Sequence, residues 1–280
     1  YASVSPSNCS VADWECVRTT SYIYPTTPIS LSQAQAYIAQ GFEIAVHVNT
    51  GCANYTAASL ATTYTNDISG FQSAFPGLPA PRTNRTHCVV WSDYDSQPSV
   101  ALAHGVRLDT TYYYWPATWI ANTPGMFTGS GMPMRFAKAD GTMIDVYQAA
   151  TQMTDESNQT YPFNADTLLD RAVGPLGYYG AFVANMHTDS PTHPSAPSIV
   201  ASAQLRGVPV VSAAQMLTWL DGRNGSSFGA HTWDGTTVSF SVTAATGARN
   251  LRAMLPIANG LKRLNALNQG GAPVLFTVET

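Results

Sequence analysis

The run Phe42-Glu43-Ile44-Ala45-Val46-His47-Val48-Asn49 limits what this chain can fold into more than any other stretch. Period-two alternation sets Phe42, Ile44, Val46 and Val48 on one face of a strand and Glu43, Ala45, His47 and Asn49 on the other, and Thr50-Gly51 end it. A helical stretch over 33–40, opened by Ser30 or Ser32 and closed by Gly41, precedes the strand. Another over 56–75, with Leu60, Tyr64, Ile68 and Phe71 on one stripe, follows it. Such alternation implies parallel strands with helices outside, and binding groups gather where parallel strands end. His47 sits at such an end.

The pattern repeats along the chain. Residues 83–95 read as a strand with Arg85, His87, Val89, Trp91 and Asp93 on one face, and 98–104 as a helix. Residues 106–109 form a strand ending in Asp109, and 134–147 a hairpin around Asp140-Gly141. A helix over 166–173 leads to an apolar strand, read over 178–189, that ends in a histidine, His187. Residues 197–205, 208–212 and 213–220 read as helix, strand and helix. Residues 1–30, with Pro6, Pro25 and Pro28, read as irregular. Past 225 the texture turns to strand alternation, as at Val238, Phe240 and Val242, with a further strand over 273–278. The expected organisation is α/β: a distorted (β/α) barrel domain over 1–224, then part of a small β domain over 225–280. The length of 280 residues suits one barrel of about 200–250 residues plus an appendage.

Composition narrows the partners. Charged residues make up 11% and the net charge is -4, which excludes electrostatic nucleic-acid binding and a disordered charged tail. No apolar run reaches about 18 residues, so no membrane span is expected. Four cysteines allow three pairings, of which the local pairs Cys9 with Cys16 and Cys52 with Cys88 are favoured. Sequons at Asn8, Asn54, Asn84, Asn158 and Asn224 match a secreted or cell-surface glycoprotein. The start at Tyr1, without an initiator Met, matches a processed or trimmed product.

Chemistry-bearing residues cluster at the strand exits: His47 with Asn49, His87 with Asp93, Asp109, and His187 with Asp189. Imidazoles from different strands suit a zinc-like ion with an open position for water, completed by a third ligand, normally a carboxylate. No HExxH, HxH or CxxC occurs. His104, His193 and His231 read as incidental.

Gly41-Phe42-Glu43-Ile44-Ala45-Val46-His47-Val48-Asn49 resembles the second motif of the polysaccharide deacetylases, the NodB-type carbohydrate esterases. Val106-Arg107-Leu108-Asp109 with Trp115 resembles their fourth motif, and Asn185-Met186-His187-Thr188-Asp189 their fifth. Arg82 or Arg85 resembles the arginine of the third. The resemblance covers residues 41 to 223. It implies metal-dependent deacetylation of an N-acetylated polysaccharide, with a divalent metal, most commonly zinc, on His47. It implies His187 as general acid, with Asp109 and Arg85 in the catalytic set. Trp115, Tyr113, Trp91 and Asp93 would face the glycan. The family's second metal histidine would fall at Gly51, and its opening Asp-Asp pair has no match before His47, which would put that strand upstream of Tyr1. His87 stands in for the missing ligand, since a Cys52–Cys88 disulfide with Cα atoms about 5.5 Å apart would bring it beside the loop after His47. Two rivals remain. One is a glycoside hydrolase using a carboxylate pair among Asp93, Asp95, Asp109, Asp145, Asp155 and Glu156, the last two pointing oppositely if they lie on a strand. The other is an inactive carbohydrate-binding protein on a deacetylase scaffold.

Overall fold

The computed structural model describes residues 1–112, 123, 131–156, 158–177, 180–188 and 194–278. Tyr113, Trp115, Asp189 and His193 lie outside the described residues. The chain is mixed α/β and divides into two compact units, Tyr1–Thr218 and Trp219–Thr280.

The first unit is built on parallel pairing. Strand β1 (Thr20–Ile23) runs parallel to β2 (Glu43–Val46), the strand that leads to His47. This corrects the irregular reading of residues 1–30. Tyr22 and Ile23 are drawn into a strand by their neighbours, Tyr22 Oη donating to Thr83 Oγ1 and Ile23 packing on the core. Beyond Val46 the chain keeps pairing: the His47 amide donates to the Ile23 carbonyl, and the His87 amide to the Val48 carbonyl at 2.7 Å. Strand β3 is confined to Thr83–Asn84 and runs parallel to β4 (Leu108–Asp109), which runs parallel to β6 (Met143–Gln148). β5 (Met134–Ala137) closes the expected hairpin antiparallel to β6. After two residues β6 resumes as β7 (Thr151–Thr154), parallel to β8 (Val183–Asn185). Residues 208–212, expected as a strand, form none, although the Val210 carbonyl accepts from the Arg18 amide. Among the described residues no sheet closes on itself.

Local chemistry explains the helices. Helix α1 (Leu31–Ala39) begins at a reciprocal cap in which Ser30 Oγ accepts from the Gln33 amide and Gln33 Oε1 from the Ser30 amide. Thr56 and Ser59 build the same cap on α2 (Ala57–Ala74), whose buried stripe is Leu60, Tyr64 and Phe71. Gly41 turns the chain from α1 into β2 with φ +91°, where a Cβ would meet Val11 at 2.6 Å. Ile44, Val46, Val48, Leu60, Tyr64, Phe71 and Val106 share one core. Helices α3 (Ser96–Ala103), α4 (Phe163–Val173), α5 (Ser195–Leu205) and α6 (Ala213–Gly225) complete the set. At the amino end of β2 the Glu43 carboxylate accepts from Thr20, Thr83 and the Ala214 amide, satisfying an orphan donor of α6.

Beneath the strand exits lies a polar network sealed from solvent. Asp109 is 0% exposed. Its carboxylate accepts from the Thr111 amide and hydroxyl, both at 2.9 Å, and from Gln97 Nε2 at 3.3 Å. Gln97 Nε2 also donates to Tyr64 Oη and Thr86 Oγ1, and Asn84 Nδ2 donates to the same two oxygens. The network joins α2, α3, β3 and β4.

In the second unit, β9 (Ser227–Trp233) and β10 (Val238–Thr243) form an antiparallel pair, with the Phe228 and Phe240 rings edge to face at 5.5 Å. The strand expected over 273–278 is reduced to a ladder of Asn268–Gln269 with Ala272–Pro273. Trp219 Nε1 donates to the Arg249 carbonyl.

Replacing Asp109 with Ala removes the acceptor that three donors share. The unfolding free energy from urea titration is expected to fall by about 3 kcal/mol, and a loss below about 1 kcal/mol would show that the network is dispensable.

Candidate active site at the strand exits

His47 leaves β2 half-buried, and its ring is fixed by one bond: Nδ1 lies 2.6 Å from the Arg85 carbonyl. A carbonyl only accepts, so Nδ1 carries the hydrogen and Nε2 keeps its lone pair. Burial first of all, with smaller electrostatic contributions from His87, Arg85 and His187, pushes His47 down to about 4, against the bond to Arg85. The ring is therefore neutral at pH 7, the state a metal ligand or proton acceptor requires.

His87 is delivered to the same place by backbone and disulfide. Asn49 and His87 bridge in parallel, the Thr50 amide and hydroxyl both donate to the His87 carbonyl, and Cys52 bonds to Cys88 with Cα atoms 5.1 Å apart. Cys9 bonds to Cys16. The His47 and His87 ring centroids stand 5.5 Å apart at 67°, and Tyr24, just beyond β1, lies 5.0 Å from the first and 6.1 Å from the second. Past His87 the chain leaves the sheet, so the strand expected over 83–95 ends early.

His187 follows β8. Its backbone amide donates to Asp155 Oδ2 at 2.8 Å and its Nδ1 to Asp155 Oδ1 at 2.9 Å, while Nε2 lies 3.7 Å from Glu156 Oε1. The His187 side chain is 44% exposed and that of Asp155 only 6%. Burial alone would raise the Asp155 carboxyl, but the two His187 bonds outweigh it and hold the group below the usual carboxylate range. Asp155 and Glu156 do not point oppositely, because β7 stops at Thr154 and both residues sit in a turn.

Other expected residues stand elsewhere. Asp109 is in the sealed network, where burial pushes its carboxyl up. Arg85 is buried and spans toward β4 and β7, donating to the Thr110 carbonyl and Thr151 Oγ1, so it is its backbone carbonyl that serves the site. Asp93 is exposed and bonds the Ser96 amide and hydroxyl at the start of α3. Trp91 stacks on Phe136 at 5.7 Å and meets the edge of Tyr112 at 5.6 Å, so at least one of its faces is covered. His104 bonds the Val100 carbonyl and Thr65. Asn84 is 0% exposed, which closes that sequon to a glycan. Tyr24 is a residue that sequence reading missed. Asp155 had a legible signal, a carboxylate directly after the short run 151–154.

The residues fit a divalent metal in part. His47 Nε2 and the facing His87 ring offer two imidazole donors, whereas a catalytic zinc takes three protein ligands. Among the described residues the group of three His, Cys, Asp or Glu donors within 4.8 Å of one another is Cys52, His87 and Cys88, and its two sulfurs share a disulfide. Comparison with known proteins finds no matching family model, curated protein or solved structure.

The His47 shift has a measurable consequence. A histidine lowered from 6.5 to about 4 stabilises the fold above pH 6.5 and loses that contribution as pH falls to 4, because the unfolded chain takes up the proton first. In metal-free protein, the difference in unfolding free energy between wild type and His47→Gln is expected to shrink by about 3 kcal/mol across that window. A constant difference would show that His47 is not held neutral.

Proposed function

We propose that this chain is a secreted, metal-dependent hydrolase that removes acetyl groups from an N-acetylated polysaccharide, on a distorted (β/α) barrel of the polysaccharide deacetylase type. The observation that carries this reading is a carboxylate-oriented histidine, Asp155–His187, at the strand exits alongside the facing imidazoles of His47 and His87. The parallel pairing of β1 with β2, of β3 with β4, of β4 with β6 and of β7 with β8 supports the barrel-type reading, and the two disulfides fit an oxidising compartment. Among the described residues no helix is long and apolar enough to cross a membrane.

His47 and His87 would hold the ion through ring-nitrogen lone pairs, a donor type that suits zinc. A bound zinc supplies polarisation of the acetyl carbonyl and a water acidic enough to attack near neutral pH. His187 moves the proton. Asp155 holds its Nδ1–H, so Nε2 is the atom that takes up the proton lost by the attacking water and delivers it to the departing amine nitrogen as the C–N bond breaks. Glu156, 3.7 Å from that nitrogen, places negative charge beside the imidazolium. The Arg85 carbonyl keeps His47 in its tautomer, so the lone pair stays on Nε2.

Metal content and acetate release from an N-acetylated glucosamine oligomer test this reading. His187→Ala is expected to lower kcat by about 10²–10⁴-fold with metal retained, and His47→Ala to lose metal and turnover together. Activity that survives a chelator, or release of reducing sugar in place of acetate, would overturn it in favour of a glycosidase. A metal-free chain that binds the oligomer without cleaving it would overturn it in favour of a binding protein.

A further inference from the structure

At the carboxyl ends of β4 and β6 lies a cavity of about 260 Å³ that the histidine site does not use. Its walls come from the segments that leave those strands: Tyr112 three residues past β4, Gln148 at the end of β6, and Ala150 in the link to β7. Met132, Met134 and Phe136 supply the rest of its apolar surface. Trp91, four residues beyond His87, braces two walls, stacked on Phe136 and edge-on to Tyr112, so both aromatic rings are held before any ligand arrives.

Resting on the hydrolase reading above, we infer that this cavity is a binding subsite for one neutral pyranose ring of the glycan, next to the residue being deacetylated. Three features select that ligand. Among the described residues the one charged lining residue is Arg135, and it is already engaged, with Nε 3.2 Å from Asp145 Oδ1 and Nη2 donating to Tyr147 Oη, so these walls favour a neutral ligand over an ionic one. Tyr112 lines the cavity and is 38% exposed, and a tyrosine combines a flat apolar face with a polar tip, which match the face and edge of a sugar. The volume lies just below the range of about 300–1,000 Å³ typical of drug-sized ligands, which restricts it to about one ring. The thioethers of Met132 and Met134 adapt to the ring's uneven surface.

Calorimetry on the whole chain with an N-acetylated glucosamine tetramer tests the subsite, with thermal unfolding as the control for folding. Tyr112→Ala is expected to weaken Kd by about tenfold, Tyr112→Phe to retain most of the affinity, and Met132→Trp to weaken it by filling the cavity. In turnover assays the first and third are expected to raise KM and leave kcat unchanged. Wild-type affinity in both Tyr112→Ala and Met132→Trp, no tetramer binding by wild type, or binding of indole that the tetramer fails to displace would overturn the subsite. The two readings fail separately. Acetate release with variant-insensitive binding sinks the subsite alone, and variant-sensitive binding without acetate release sinks the hydrolase alone.

Discussion

A carboxylate that cannot reach water dictates how the centre of this protein is assembled. Asp109 sits at the end of β4 with no exposed surface, and burial without partners would cost several kcal/mol. Thr111, two residues on, wraps back to supply an amide and a hydroxyl, and Gln97 arrives from α3 with the third bond. Gln97 can do so because its amide also meets Tyr64 from α2 and Thr86 beyond β3, which Asn84 meets in turn. Thr86 immediately precedes His87, and its amide is held by Thr111. The position of a site histidine thus follows from satisfying a buried acid.

Above that layer the side chains divide into groups that hold and groups that are held. The Arg85 carbonyl and Asp155 each bind a histidine Nδ1, which leaves Nε2 as the atom turned to the site in both His47 and His187. The electrostatic settings differ in a useful way. His47 is largely buried and stays neutral at pH 7, whereas His187 is almost half exposed beside two acids. One imidazole suits lone-pair donation and the other proton transfer.

Much of this was legible in residue order, and the losses have physical causes. The strand into His47, the stripe of α2 and the hairpin around Asp140-Gly141 are signals of period and turn chemistry, which are local. β1 escaped because four residues carry too little period to stand out, and only pairing with β2 makes them a strand. Residues 85–95 alternate well enough to imitate a strand, yet the Cys52–Cys88 bond and the turn capped by Asp93 take them away from the sheet. Asp109 looked catalytic because a carboxylate at a strand exit is what catalysis uses; whether it faces a cleft or an interior depends on how α2 and α3 pack over it, which local pattern does not specify.

The amino-acid sequence by itself determined an α/β chain with histidines at strand ends, poor in charge and rich in aromatic residues. Those properties are set by the spacing and type of neighbouring residues. Only the tertiary structure decided that Asp155 holds His187, that the Arg85 carbonyl holds His47, and that Asp109 and Arg85 turn inward. The two histidine contacts and the Arg85 bond to Thr110 join residues 25 or more apart, and Gln97 reaches Asp109 from 12 residues away; the energy of each exists only after the chain has closed the intervening loop.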